Sequence, residues 1–253
     1  MWFGCKFDGE DFDDNHSALD IYKRFQDDIT RQLTSYLAVD GTLSGNKMMA
    51  DYFPTVNADI FICHSHNDEE KSQNLAGWLF ELFGLRFFVD SMVWGSADRL
   101  LQKIDDEYCD NPGENTYNYR KRNLSTSYVH MMLAASLANM MDKCHCFIFM
   151  ESEQSITPST IKRANAKETF SPWIFYELAL FHKIQKRRLK KTILEKRTST
   201  TDSICLENFS ISLSAETKDL YPLSVNTLKK LHKAQLRGNE ALIKLHEILS
   251  SSK

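Results

Sequence analysis

The stretch "ADIFICHSHNDEEKSQNLAGWLFELFGLRFFVDSMVWG" (Ala58–Gly95) decides the fold. Ile60–Cys63 is a short apolar run between polar residues, the pattern of a strand buried on both faces of a parallel sheet. Ser65 or Asn67 is placed to cap a helix, each with an acidic residue three positions on (Asp68, Glu70). Leu75, Trp78, Leu79 and Leu82 recur at helical spacing and give that helix an apolar face. Gly84 can end it in the left-handed conformation. "LRFFVD" (Leu85–Asp90) is then a second strand, and "SMVWGSAD" a loop. Strand, helix and strand in this order form one parallel crossover unit.

Downstream the alternation continues. "DRLLQKIDDEY" (Asp98–Tyr108) sets Leu100, Leu101, Ile104 and Tyr108 on one helical face. Asp110–Asn123 is polar and turn-rich and reads as an exposed loop. Tyr128–Met141 is a helix thick with Met, Ala and Leu, and "CHCFIFM" (Cys144–Met150) is a third buried strand. A polar stretch, Glu151–Phe170, precedes "SPWIFYEL" (Ser171–Leu178). Beyond Lys183 the pattern weakens: "KKTILEK" or "SICLENFSISL" can hold further strands, and Ser224 can cap a last helical region whose core positions are Leu228, Leu231, Leu242, Leu245 and Leu249. Strands alternating with helices imply a parallel sheet covered on both faces. Such sheets bind ligands outside the carboxyl ends of their strands, which selects the loops after Cys63, Val89 and Met150.

Upstream, the opening "MWFGCKFDGEDFDD" is acidic and carries no secretory signal. Ile21, Phe25, Ile29 and Leu33 form a helical stripe, and Val39–Asn46 supplies turn residues. Residues 1–56 therefore read as a helical extension, 57–195 as the main domain and 196–253 as a strand/helix extension packed on it. The chain of 253 residues has 42% hydrophobic and 26% charged residues and a formal net charge of -3, an ordinary globular composition with no bulk charge for nucleic acid or an anionic membrane. No apolar run is long enough to span a bilayer, since the richest is broken by Glu81, Gly84 and Arg86. Six scattered cysteines without a framework fit a cytoplasmic protein with free thiols.

Within "SPWIFYEL", Ser171 suits an N-cap and Pro172 the first helical position. Trp173 and Glu177, four apart, share a helix face, and Glu177 falls in the second turn, near the sheet's carboxyl edge. A glutamate on such a helix is ordinarily a solvated residue, and Trp173 and Tyr176 are ordinarily core. The loop from Cys63 through His64 and Ser65 borders the same edge. Its acidic first turn (Asp68, Glu69, Glu70) repels phosphate and suits a ribose or nicotinamide contact better. Cys63 beside His64 lacks an orienting third group for a nucleophile. "CHC" (Cys144–Cys146) has no partner pair for zinc, so no metal is expected. The basic run Lys183–Lys191 suits a helix end and lacks the interleaved aromatics of a nucleic-acid surface.

These residues bear a family likeness. The stretch from Ala58 to Gly95 resembles the first half of a Toll/interleukin-1 receptor (TIR) domain, whose first strand reads D-x-F-I-S-x-S and whose second strand ends V-F-x-D before a glycine-bearing loop. Cys63 stands where serine is commoner, and Gly95 lies in the loop. "SPWIFYEL" resembles the later S-x-W-x-x-x-E box. The likeness covers roughly Asn57 to Lys191 and implies an α/β, flavodoxin-like TIR domain of about five parallel strands flanked by helices, with helical N- and C-terminal extensions.

The resemblance also implies an activity. Some TIR domains cleave NAD+ at the nicotinamide–ribose bond, and the box glutamate, here Glu177, is then catalytic. Glycosidases need two carboxyl groups because an alkoxide must be protonated as it leaves. Nicotinamide leaves a cationic pyridinium as a neutral molecule, so one ionised carboxylate that steadies the charge growing on the ribose is enough. On this expectation NAD+ is a substrate and no cofactor is needed. Trp173, Tyr176, Cys63, His64, Ser65, Asp90, Ser91 and Trp94 surround the substrate, and the product is ADP-ribose or a cyclic ADP-ribose that signals to a separate effector in antiviral defence. The family also implies a homo-oligomer through TIR–TIR contacts, and neither nucleic acid nor a membrane as partner. The alternative is a non-enzymatic TIR adaptor acting by self-association, marked by an exposed hydrophobic loop at Met92–Trp94 and no cavity at Glu177. A third reading is another carboxylate-centred nucleoside-processing enzyme, such as a deoxyribosyltransferase-like protein.

Overall fold

The computed structural model describes residues 2–8, 33–94, 97–158, 167–189 and 212–251, the side chains of 186–189 excepted. The main sheet is built from β1 (Phe3–Phe7), β2 (Ile60–Cys63), β3 (Phe87–Phe88), β4 (Cys146–Met150) and an edge strand β8 (Tyr221–Leu223), in the order β3-β2-β4-β1-β8. Every pairing in it is parallel. This is the expected class, five parallel strands flanked by helices. The short strands β5 (Thr157–Pro158), β6 (Lys167–Thr169) and β7 (Leu213–Ser214) form a separate antiparallel sheet.

One strand is in an unexpected place. Residues 3–7, read as part of an acidic helical extension, form β1 and lie between β4 and β8. The sheet therefore does not begin at Asn57. Counted from β2, the order is 2-1-3, then β1, then the last strand. That is the flavodoxin-like order 2-1-3-4-5 with its fourth place taken by the N-terminal strand. The C-terminal segment likewise completes the sheet through β8 instead of only leaning on it.

The reason β1 was hidden is a row of side chains. Phe88, Phe61, Phe147 and Gly4 stand in register across four strands. Phe61 packs on Phe88 (ring centroids 5.2 Å) and on Phe147 (5.9 Å). Over Gly4 the row is completed by Phe181, which stacks on Phe147 at 5.0 Å and packs on Trp2. A Cβ at residue 4 would sit 2.4 Å from the Phe181 ring and 2.6 Å from Leu220. The glycine that breaks the apolar alternation is thus required by a helix docked on it. Phe3 and Cys5 face the other way, where Phe3 meets His246 at 5.0 Å. Gly4→Val forces the ring and the strand apart, and we expect it to cost roughly 1–3 kcal/mol, read as a lower thermal unfolding midpoint.

The helices follow local signals. α1 (Gly45–Tyr52) is capped by Ser44, whose side chain accepts from the Lys47 N–H. α2 (Glu69–Phe83) ends on Gly84 at φ 63, as expected. It starts differently from the expectation. The chain enters through a 3-10 turn, His66–Asp68, and neither Ser65 nor Asp68 makes a side-chain cap bond. Asn67 and Asp68 reach across to the loop after β4 instead, to Gln154 and Ser152. The expected loop after β3 opens as a short helix α3 (Asp90–Val93), followed by α4 (Ala97–Tyr108). In α4, Leu100 and Ile104 are buried as expected, whereas Tyr108 is exposed.

α5 (Tyr119–Lys143) starts inside the stretch read as a loop, with the Asn118 side chain accepting from Lys121 N–H. Its polar first turns are tied to α4, where the buried Asp105 accepts from Arg122 and Ser125. α6 (Pro172–Leu189) carries Phe181. The last helical region is two helices, α7 (Val225–Lys233) and α8 (Gly238–Ser250), separated where Gln235 and Gly238 take positive φ. Ser224 caps α7, and Leu228, Leu231, Leu242, Leu245 and Leu249 are all buried, as read. Ile21, Phe25, Ile29, "KKTILEK" and most of "SICLENFSISL" lie outside the described residues. Among the described residues, no helix is long and apolar enough to cross a membrane.

Candidate active site

The strand order reverses between β2 and β4, so the crevice belongs at their carboxyl ends. Three segments meet there. Cys63 ends β2 and faces the α6 side, two residues beyond Phe61. Asp90 and Ser91 open α3 after β3. α6 begins at a cap in which the Ser171 hydroxyl accepts from Ile174 N–H at 3.2 Å. Phe181 anchors this helix over Phe147 and Gly4, and Glu177, one turn toward the helix start, is thereby brought to the end of β2.

Glu177 is not a solvated face residue: it is 6% exposed. Its carboxyl pKa is pushed up to about 8, first by burial and then by the Asp90 carboxylate, and an S–H bond from Cys63 offsets part of this. The Cys63 thiol is raised well above its ordinary value, by burial first and then by Glu177 and Asp90. The site is thus short of one positive charge, because Glu177 is buried within the field of the Asp90 carboxylate and keeps its proton at neutral pH. A cationic ligand placed between them would relieve both the repulsion and the burial cost, and would let that proton go.

His64 leaves β2 with its ring nearly buried. Its Nδ1 lies 3.8 Å from Asp90 and its Nε2 3.5 Å from Ser91. The structure therefore brings Cys63, His64, Asp90, Ser91 and Glu177 together. Ser65 opens the 3-10 turn, its carbonyl accepting from Asp68 N–H. Trp173 and Tyr176 grip α5: Trp173 meets His130 edge-on at 5.5 Å, and the Tyr176 hydroxyl donates to Ala134 O at 3.0 Å. The Tyr176 hydroxyl pKa is raised by burial first and by Glu177 second.

Trp94 is in the core, not in an exposed loop. It packs edge-on against Phe88 (4.7 Å) and Phe53 (5.5 Å), and its indole N–H donates to Pro54 O at 2.8 Å. Met92 and Val93 are buried with it. The short helix α3 turns this apolar triplet inward, which spacing in so short a segment could not show. Gly95 lies outside the described residues.

Further residues shape the site, most of them in the loop after Met150 that the strand-end rule selects. Ser152 and Gln154 tie the loop after β4 to the turn after β2. Glu151 pairs with Lys167 and with Lys6 of β1. His130 supports Trp173. The available signal was position, since "ESEQ" directly follows a buried strand at the reversal point. Cys144 and Cys146 are buried and His145 is exposed, and among the described residues no group of three or more His, Cys, Asp or Glu side chains is arranged to hold a metal. A separate hollow of about 370 Å³ between α4 and α5, lined by Asp98, Gln102, Asp105, Tyr117 and Arg122, contains none of the expected site residues.

Set against known proteins, the chain matches no family model, no curated protein and no solved structure.

Proposed function

We propose that the chain is a TIR-like enzyme that cleaves NAD+ between nicotinamide and ribose, with Glu177 as the catalytic carboxylate. The supporting observation is that Glu177 is buried at the point of strand reversal, its carboxyl raised by that burial and by the Asp90 carboxylate. A site whose carboxyl pair lacks a counter-charge favours a ligand with a fixed positive charge, and the pyridinium of NAD+ has one. Its approach expels the Glu177 proton. The carboxylate then accepts hydrogen bonds from the ribose hydroxyls and stabilises the cation forming at C1′. The C1′–N bond breaks with both electrons going to nicotinamide, which departs neutral. Water, or a nucleophile within the same ADP-ribose, adds at C1′ and loses a proton, giving ADP-ribose or a cyclic product. On this reading the product is a signal read by a separate protein, in the cytoplasm and in antiviral defence.

The test is nicotinamide release from NAD+ by the purified chain, with and without an infection-like trigger. Glu177→Gln should lower turnover by roughly 10³-fold; unchanged turnover ends the reading. The pH profile adds a second check. If ionised Glu177 is the active form, kcat/KM rises with pH through about 8, the free-protein value, and the limb moves to lower pH in kcat, where the bound cation favours ionisation. Of the two marks of the adaptor alternative, the exposed hydrophobic loop is not found at Met92–Trp94, which are buried.

A further inference from the structure

Two consecutive residues at the start of α3 hold the ring that follows β2. The His64 side chain is 5% exposed, with Nδ1 3.8 Å from the Asp90 carboxylate and Nε2 3.5 Å from the Ser91 hydroxyl. Both distances are long, as is common in ligand-free sites, where catalytic contacts tighten only once substrate is bound. The order carboxylate, imidazole, hydroxyl is that of a base relay. The carboxylate keeps a proton on Nδ1, which leaves Nε2 bare to take one from the hydroxyl. The turn behind His64 is fixed: Asp68 N–H donates to Ser65 O at 2.8 Å, and the Asp68 carboxylate accepts from Ser152 at 2.5 Å. No neighbour can take the same part. His66 is 91% exposed and turned to Glu69. The Cys63 thiol, raised well above its ordinary value by burial, keeps its proton. Ser91 is not set up as an acyl nucleophile either, because the amide after it, Met92 N–H, already donates to Val89 O at 3.0 Å and is not free for an oxyanion.

We propose that Ser91 and His64 take the proton of the nucleophile that captures the ribosyl cation, and so favour an acceptor that attacks through oxygen. This step belongs to the NAD+ reaction proposed above and rests on that reading. It supplies the half of the reaction that Glu177 does not serve. Once nicotinamide has left, Glu177 is engaged with the positive charge at C1′. A lone pair of the acceptor oxygen forms the O–C1′ bond. The acceptor's O–H bond breaks with its electron pair staying on oxygen. That proton passes to Ser91 Oγ as the Ser91 proton passes to His64 Nε2. The imidazolium then faces Asp90, which stabilises it, and gives its extra proton to solvent after the product departs. A pyridine nitrogen carries no proton on the lone pair it offers, so the return of nicotinamide to form NAD+ again needs no relay.

That difference supplies the test. The full chain is given NAD+ together with isotopically labelled nicotinamide, and label entering NAD+ is compared with ADP-ribose formed. His64→Gln and Ser91→Ala are each expected to raise the ratio of exchange to hydrolysis by about 10²-fold, whereas Glu177→Gln depresses both reactions. A merely structural role for His64 or Ser91 would lower exchange and hydrolysis together, and a ratio that stays at the parent value in both variants would overturn the relay while leaving the NAD+ reading intact. Neither exchange nor hydrolysis by the parent chain would overturn the NAD+ reading and the relay with it. A second measurement needs no variant. Proton–nitrogen NMR correlations of the unaltered chain should show the neutral His64 ring protonated on Nδ1 and bare on Nε2. The opposite tautomer would overturn the relay whatever the turnover.

Discussion

A chain beginning at Gly9 should not fold. Removing residues 1–8 takes out β1, which exchanges hydrogen bonds with β4 along five register positions and with β8 along three. Phe3, Cys5 and Phe7 are each at most 1% exposed. Their lost burial alone amounts to roughly 5–8 kcal/mol, which is comparable to the whole stability of an ordinary domain. The loss does not stop there. The edges of β4 and β8 are left without partners in the middle of the molecule, and Phe181 loses the glycine surface it covers. The expected result is a product without near-ultraviolet dichroism and without a cooperative thermal transition. A truncated chain that melts cooperatively within a few degrees of the parent would show that the N-terminal strand is not integral to the sheet.

Glu177→Gln should make the protein more stable, increasingly so as the pH rises. Below about pH 4.5, the ordinary value for a glutamate, the carboxyl is protonated in both folded and unfolded chains and contributes nothing. Between there and about pH 8 the folded protein keeps a proton that the unfolded chain has released, so stability falls by about 1.4 kcal/mol per pH unit. Above pH 8 the full cost, roughly 5 kcal/mol, is in place. Glutamine keeps an oxygen to accept the Cys63 S–H and removes the charge. Denaturant unfolding at pH 5 and at pH 8.5 should therefore show a small difference between variant and parent at the lower pH and one of several kcal/mol at the higher. A difference that does not change with pH would mean that the carboxyl is not buried as described. Taken with the proposed chemistry, the substitution has a signature that a structural residue would not give: turnover is lost while stability is gained.

Most of the scaffold is legible in the residues. The strand Ile60–Cys63, the helix closed by Gly84, the strand ending at Met150 and the cap at Ser171 were legible because each is written in adjacent residues: a short apolar run, a helical period, a capping side chain. Glu177 was singled out by its place in the box and by the rule that ligands sit at strand ends. What failed depended on partners far along the chain. The strand Phe3–Phe7 is interrupted by Gly4 and Lys6. The glycine is explained by Phe181 and the lysine by Glu151. Ser65 and Asn67 looked like helix caps, but Asn67 is drawn to Gln154, a partner supplied by another loop.

The sequence by itself determined the class of sheet, most of the helices that flank it and the end of the sheet where a ligand would bind, since these follow from local hydrophobic period, backbone preference and strand order. Only the tertiary structure decided that the N-terminal strand occupies the fourth place in the sheet, that Trp94 is core, and that Glu177 lies buried in the field of Asp90. Each of those is a statement about which distant surfaces exclude water from one another, and burial and charge proximity of that kind are properties of the packed chain, not of any window of residues.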